Sequence, residues 1–125
     1  VTVAAIGIAL LRWRPARVGI QGASMVPTLM PNDWALAVAR HRYRRGDVVV
    51  VEHPGRPGYE MVKRVTGLPG EQVRERILGS DEFWVEGDRE DASTDSRHFG
   101  PIRRERVKAK IVLVYWPKER RRRVR

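Results

Sequence analysis

Two side chains have the types needed for hydroxyl-based covalent chemistry driven by an amine. Ser24 follows the small pair Gly22-Ala23 and precedes Met25-Val26-Pro27-Thr28. A hydroxyl there sits at a strand-to-loop transition, exposed enough to act as a nucleophile. Lys63 lies in Met61-Val62-Lys63-Arg64-Val65. Alternate residues of a strand share a face, so Met61, Lys63 and Val65 point one way and Arg64 the other. A lysine between apolar neighbours either snorkels to water or is buried. Burial disfavours the ammonium and lowers its pKa, as a lysine base near neutral pH requires. A third segment, Gly87 to Arg97, is polar throughout. Loops this long in small domains are commonly functional or flexible. Asp95 and Arg97 are spaced to pair and stiffen it, and Ser93 to hydrogen-bond a side chain in the core. Each segment alone also has a plainer reading: a turn-forming serine, a half-exposed strand lysine, a solvated loop.

These residues need a rigid frame, and the surrounding pattern is that of short strands. Arg17 to Gln21 is a strand ending at Gly22. Residues 24–33 hold Pro27, Pro31 and Asn32 and read as a turn-rich loop. Trp34 to Ala39 alternates large and small apolar residues. The turn Arg45-Gly46-Asp47 leads into the valine run Val48 to Val51, a strand covered on both faces. Tyr59 to Thr66 is a strand closed by Gly67, Pro69 and Gly70. Glu71 to Leu78 alternates as an exposed hairpin arm would. Phe83 to Glu86 is a short strand, 87–101 a long polar loop, and Lys108 to Trp116 the last strand. There is no internal repeat. The fold class is therefore mostly β, a small barrel-like or sandwich core.

The 125 residues fit one small domain, and at 42% hydrophobic they bury a core. The absence of cysteine excludes disulfides, thiolate zinc sites and cysteine nucleophiles, and leaves the compartment open. Net charge is +10, from 25 Lys+Arg against 15 Asp+Glu, which favours an anionic partner. Much of it is terminal: Arg12, Arg14 and Arg17 follow an apolar start, and 118–125 is almost wholly basic. Val1 to Leu11 would make about 16 Å of helix, against a hydrocarbon core of about 30 Å. This gives three parts: an apolar, basic anchor-like segment over 1–14, expected as a short helix, a core over 15–117 and a basic tail over 118–125.

Read jointly, the three segments resemble the boxes of the type I signal peptidase family. Ser24-Met25-Val26-Pro27-Thr28-Leu29 is similar to its nucleophile box, and Arg45 to Val50 to the strand that follows. Lys63-Arg64-Val65 with Gly67 to Glu71 is similar to the lysine box. Gly87-Asp88 through Ser93, Asp95-Ser96-Arg97 and Phe99-Gly100-Pro101 resembles the final box. They stand in the family's order and cover roughly residues 17–117. The resemblance implies a serine endopeptidase in which Ser24 attacks the scissile carbonyl and Lys63 takes the proton, with no histidine or aspartate completing a triad. His41, His53 and His98 fall outside the matching catalytic positions. Ser93 would orient the Lys63 amine, and Asp95 and Arg97 would form a supporting ion pair. The Ser24 backbone N–H would be an oxyanion donor. Ile20, Met25, Leu29 and Val62 match positions lining small specificity pockets, or are ordinary core. No cofactor or metal is expected.

The chain departs from the family pattern in places. Gly22 stands where some relatives carry a second, hydroxyl oxyanion donor, and Arg89 where many have Asn. Too few residues separate Glu71 from Trp84 for the large inserted β domain of some relatives. The implied partner is a precursor with an N-terminal signal or leader peptide, at a membrane. Residues Ala92 to Arg97, Phe99-Gly100-Pro101 and Val114-Tyr115-Trp116-Pro117 also resemble small proteases that mature nickel-type superoxide dismutase in the cytoplasm. The side of the membrane therefore stays open: extracytoplasmic for ordinary signal peptidases, cytoplasmic for that subgroup. A self-cleaving repressor shares the chemistry, but no DNA-binding helical domain is visible. A basic nucleic-acid-binding β-barrel would account for the charge, but interleaved aromatics on one strand face are missing, so no nucleic acid is expected.

Overall fold

The computed structural model describes residues 15–125. The short helix expected over 1–14 lies outside the described residues. In chain order the elements are β1 (Ala16–Gly19), β2 (Trp34–Val38), β3 (Val48–Glu52), β4 (Glu60–Gly67), β5 (Gln72–Val73), β6 (Arg76–Ile77), β7 (Glu82–Glu86), α1 (Ser96–Phe99), β8 (Ile102–Arg103), β9 (Val107–Trp116) and β10 (Arg122–Arg123). Single 3₁₀ turns occupy Glu90–Ala92, Arg104–Arg106 and Lys118–Arg120.

The pairings build one antiparallel sheet in the order β1-β2-β9-β3-β4-β7-β8, with β10 added to β9. The ten-residue β9 is its spine. One edge pairs with β2, and the other pairs with β3 near its start and with β10 near its end. The valine run explains why the sheet has apolar clusters on both faces. Val48 and Val50 enter one cluster with Ile20, Met25, Leu29, Ile111 and Val114. Val49 and Val51 enter the other with Val65, Phe83, Val85 and Ile102. Each fully buried valine contributes about 1.5–3 kcal/mol relative to exposure, so a polar substitution anywhere in β3 damages one face or the other.

Two segments are more structured than their composition suggests. Residues 87–101 contain a 3₁₀ turn and α1, whose N-cap Asp95 accepts from the Arg97 N–H while the His98 side chain accepts from the Asp95 N–H. That reciprocal capping satisfies donors a four-residue helix otherwise leaves bare. Residues 71–78 hold both arms of a hairpin, β5 and β6, turning at Arg74, which has φ of 56°. The basic 118–125 stretch folds back along β9, and Val124 is buried in the first cluster.

Candidate active site

Strand alternation puts Lys63 on the same side of β4 as Val65, opposite Val49 of β3. The side chain is 4% exposed. Its Nζ donates to Ser93 Oγ at 3.1 Å, and Ser93 Oγ donates to Asp95 Oδ2 at 2.7 Å. Burial pushes the Lys63 ammonium below its ordinary pKa, the nearby Asp95 carboxylate opposes that fall, and Arg97 adds to it.

Asp95 is fully buried and five donors converge on it. Arg97 grips it in bidentate fashion, Nε to Oδ1 at 2.9 Å and Nη2 to Oδ2 at 2.6 Å. The Arg97 N–H, the Gly87 N–H and the Ser93 hydroxyl complete the set. Burial works against the charge, but these donors outweigh it and hold the Asp95 carboxyl well below the usual carboxylate range.

Ser24 is half-buried in the turn-rich loop between β1 and β2. Its carbonyl accepts from the Arg89 N–H at 2.8 Å, which ties the loop to the segment carrying Ser93. Among the described residues its own N–H makes no hydrogen bond, and its hydroxyl makes none to Lys63, whose amine is turned to Ser93. Ser24 and Lys63 line one cavity of about 660 Å³. Ile20, Met25 and Val62 also line it, whereas Leu29 does not and is wholly buried in the first cluster.

Two further contacts hold this arrangement, and neither stands out in the residue pattern. Gly87 lies so close to its neighbours that a Cβ there would come within 2.2 Å of Ser93 Oγ and 2.7 Å of the Ser24 carbonyl oxygen. Only glycine lets the Ser24 loop and the Ser93 segment meet. Arg64, on the opposite side of β4 from Lys63, makes a bidentate pair with Asp88, and Thr28 donates to the same carboxylate. Asp88 was legible only as part of the final box, with no separate role.

The walls of the cavity are strand edges. Among the described residues β1 is the terminal strand of the sheet and pairs only with β2. Residues 60–63 of β4 pair with β3 on one side, while β7 pairs only with the later part of β4, from Arg64 to Gly67. Among the described residues neither of these edges has a further strand partner, and Arg17 to Ile20 and Glu60 to Lys63 line the cavity.

Comparison with known proteins points the same way. The model of the family described as "Signal peptidase, peptidase S26" matches residues 1–77 and 74–116. Mitochondrial inner membrane protease subunit 1 of Xenopus tropicalis is 35% identical over 78% of this chain and 67% of its own. Mitochondrial ATP-independent inner membrane protease subunit 1a of Arabidopsis thaliana is 36% identical, over 80% and 70%. Subunit 2 of the mitochondrial inner membrane protease of Schizosaccharomyces pombe is 32% identical, over 78% and 63%. The chain thus spans about two thirds of the length of these curated relatives. A matched family model over most of the chain, on a mostly β core, places this protein in the type I signal peptidase (S26) family.

Proposed function

We propose that the chain is a serine endopeptidase that removes an N-terminal signal or leader peptide from precursor proteins, with Ser24 as nucleophile and Lys63 as general base. The observation that carries this reading is a buried lysine amine, fixed by Ser93, opening onto the same cavity as Ser24. The Ser93 hydrogen is committed to Asp95, so Ser93 meets Lys63 with a lone pair. One N–H of a neutral Lys63 is thereby fixed, and its own lone pair is left for the Ser24 hydroxyl. Hydrogen bonds of this kind commonly tighten only when substrate binds.

Ser24 Oγ attacks the scissile carbonyl carbon as its proton passes to Lys63 Nζ. The negative oxygen of the tetrahedral intermediate accepts from the Ser24 N–H. Collapse breaks the C–N bond, Lys63 returns the proton to the leaving amine, and an acyl-enzyme remains. Water then attacks the ester with Lys63 again as base. The substrate lies extended between the free edges of β1 and β4, adding main-chain hydrogen bonds to each. Ile20, Met25 and Val62 narrow the cavity beside Ser24 and favour small side chains such as alanine.

Membrane association follows from the relatives' description as inner membrane proteases and from the basic terminal stretches. Among the described residues no helix is long and apolar enough to cross a membrane. The decisive experiment is Ser24→Ala, assayed for precursor cleavage and thermal melting on one preparation. Loss of cleavage with an unchanged melt is expected. Wild-type rates in the folded variant would overturn the assignment.

A further inference from the structure

The nucleophile loop is closed at its neck by backbone bonds: Ile20 N–H to Asp33 O and Asn32 N–H to Ile20 O, both at 2.8 Å. At that neck Asp33 is 1% exposed. Its Oδ2 accepts from the Met30 N–H at 2.9 Å. Its counter-ion comes from the far end of the chain. Arg120 reaches it in bidentate fashion, Nε to Oδ1 at 2.7 Å and Nη2 to Oδ2 at 2.9 Å. Arg122 donates to the Thr28 carbonyl in the same loop. Between and beyond these arginines the segment is fastened to the sheet by β10, by the Val124 N–H to Val112 O, and by Val124 in the cluster that holds Met25 and Leu29.

We propose that residues 117–124 are a clamp on the nucleophile loop, and that Arg120 and Asp33 are a positioning pair for Ser24. The claim rests on Ser24 being the nucleophile. A solvated basic tail would leave its arginines interchangeable, but here two of them meet named acceptors in one loop. A bidentate guanidinium fixes a carboxylate in orientation as well as charge, and lysine cannot reproduce that geometry. The carboxylate in turn holds the Met30 N–H, and the loop from Met30 back to Ser24 is braced again at Leu29, whose N–H bonds to Met25 O at 2.9 Å. Loosening the neck displaces Ser24 relative to Lys63, which stands on a different element. Displacements of about 1 Å at reacting groups cost about 100-fold in rate. The cavity wall at β4 is untouched and β1 keeps its pairing with β2, so the loss falls mainly on kcat.

The test compares Arg120→Ala, Arg120→Lys and Asp33→Asn on the full chain, each corrected for folded fraction by its melt. Hydrogen exchange is read across residues 24–33. The expected result is a kcat at least tenfold lower for Arg120→Ala with KM within about twofold, an intermediate kcat for Arg120→Lys, and faster exchange confined to the loop. Asp33→Asn should match Arg120→Ala, and the double variant should lose no more than either alone. If Arg120→Ala does not fold, Arg120→Lys and Asp33→Asn decide. A wild-type kcat in folded variants, or faster exchange without loss of kcat, overturns the clamp. Ser24→Ala assayed alongside separates the failures: cleavage by that variant removes the nucleophile assignment, whereas an inactive Ser24→Ala beside a fully active Arg120→Ala removes only the clamp.

Discussion

At the scale of the residue, the proposed chemistry depends on the charge state of Lys63. Burial pushes its pKa below the ordinary lysine value, so the neutral amine needed for proton abstraction is reached at lower pH than in water. The proposed mechanism therefore predicts that kcat/KM rises with pH through one ionisation below about 10.4, the unperturbed lysine value. A pH profile on a short peptide checks this, and a limb at or above the ordinary value would count against a buried base. Stability runs the same way. The folded state disfavours the ammonium, so the penalty is fully present below the folded pKa and fades as pH rises toward the unfolded one. Lys63→Met, which removes the buried charge and keeps the volume, is expected to abolish cleavage and to leave the melt unchanged or raised. Asp95 has the opposite sign. Its depressed pKa contributes stability above about pH 4, and that contribution is lost as pH falls further.

At the scale of the element, much was legible in local pattern. Alternation around Lys63 placed it on the face of Met61 and Val65, and the valine run announced a strand buried on both faces, because one-residue alternation is set by the backbone itself. Spacing suggested the Asp95–Arg97 pair and a hydrogen bond from Ser93, and the resemblance joined Ser93 to Lys63, which no periodicity could have done. What stayed hidden depends on long-range meetings. β10 is two arginines with no apolar alternation, and only Val124 hints that the stretch returns to the core. Arg120 and Asp33 stand 87 residues apart in the sequence. α1 is too short to form by propensity, so its helical turn depends on the Asp95 cap and the Asp95–Arg97 pair rather than on helix propensity. Gly87 read as a loop glycine, whereas its role is to let two loops touch. Gly87→Ala should therefore behave as an active-site variant: its Cβ would drive Ser93 or the Ser24 carbonyl away. The expected result is a loss of at least about 100-fold in kcat with destabilisation of about 1–3 kcal/mol. Cleavage kinetics and chemical denaturation measure both, and a near-normal kcat would show that the two loops do not need this approach.

At the scale of the whole molecule, the positive charge divides into two uses. Arg120, half-buried, pairs with Asp33 and the exposed Arg122 donates to the Thr28 carbonyl, whereas Lys118, Arg121 and Arg123 are exposed on the remaining surface. Trp34 and Trp116, register partners across β2 and β9, are 43% and 54% exposed. Aromatic side chains of this kind suit a membrane interface. Binding to vesicles with anionic lipid should weaken with salt and by about 1 kcal/mol for each of Lys118, Arg121 and Arg123 replaced by glutamine. Sedimentation with vesicles of increasing phosphatidylserine content measures it, and binding indifferent to lipid charge would exclude this role.

The two edges that bound the cavity, Arg17 to Ile20 on one side and Glu60 to Lys63 on the other, are unpaired among the described residues, and that limits what this protease can see. A gap between strand edges is filled by a backbone whose own amides and carbonyls are unengaged. A helix, or a strand already paired in a sheet, has none to offer. On the proposed function, selection by conformation precedes selection by side chain: a junction inside a folded domain would be invisible, while the same residues in an unfolded leader would be cut. Moving one cleavage sequence from a disordered leader into a stable helix of the same precursor should silence it, and equal cutting at both positions would show that the edges do not read the backbone.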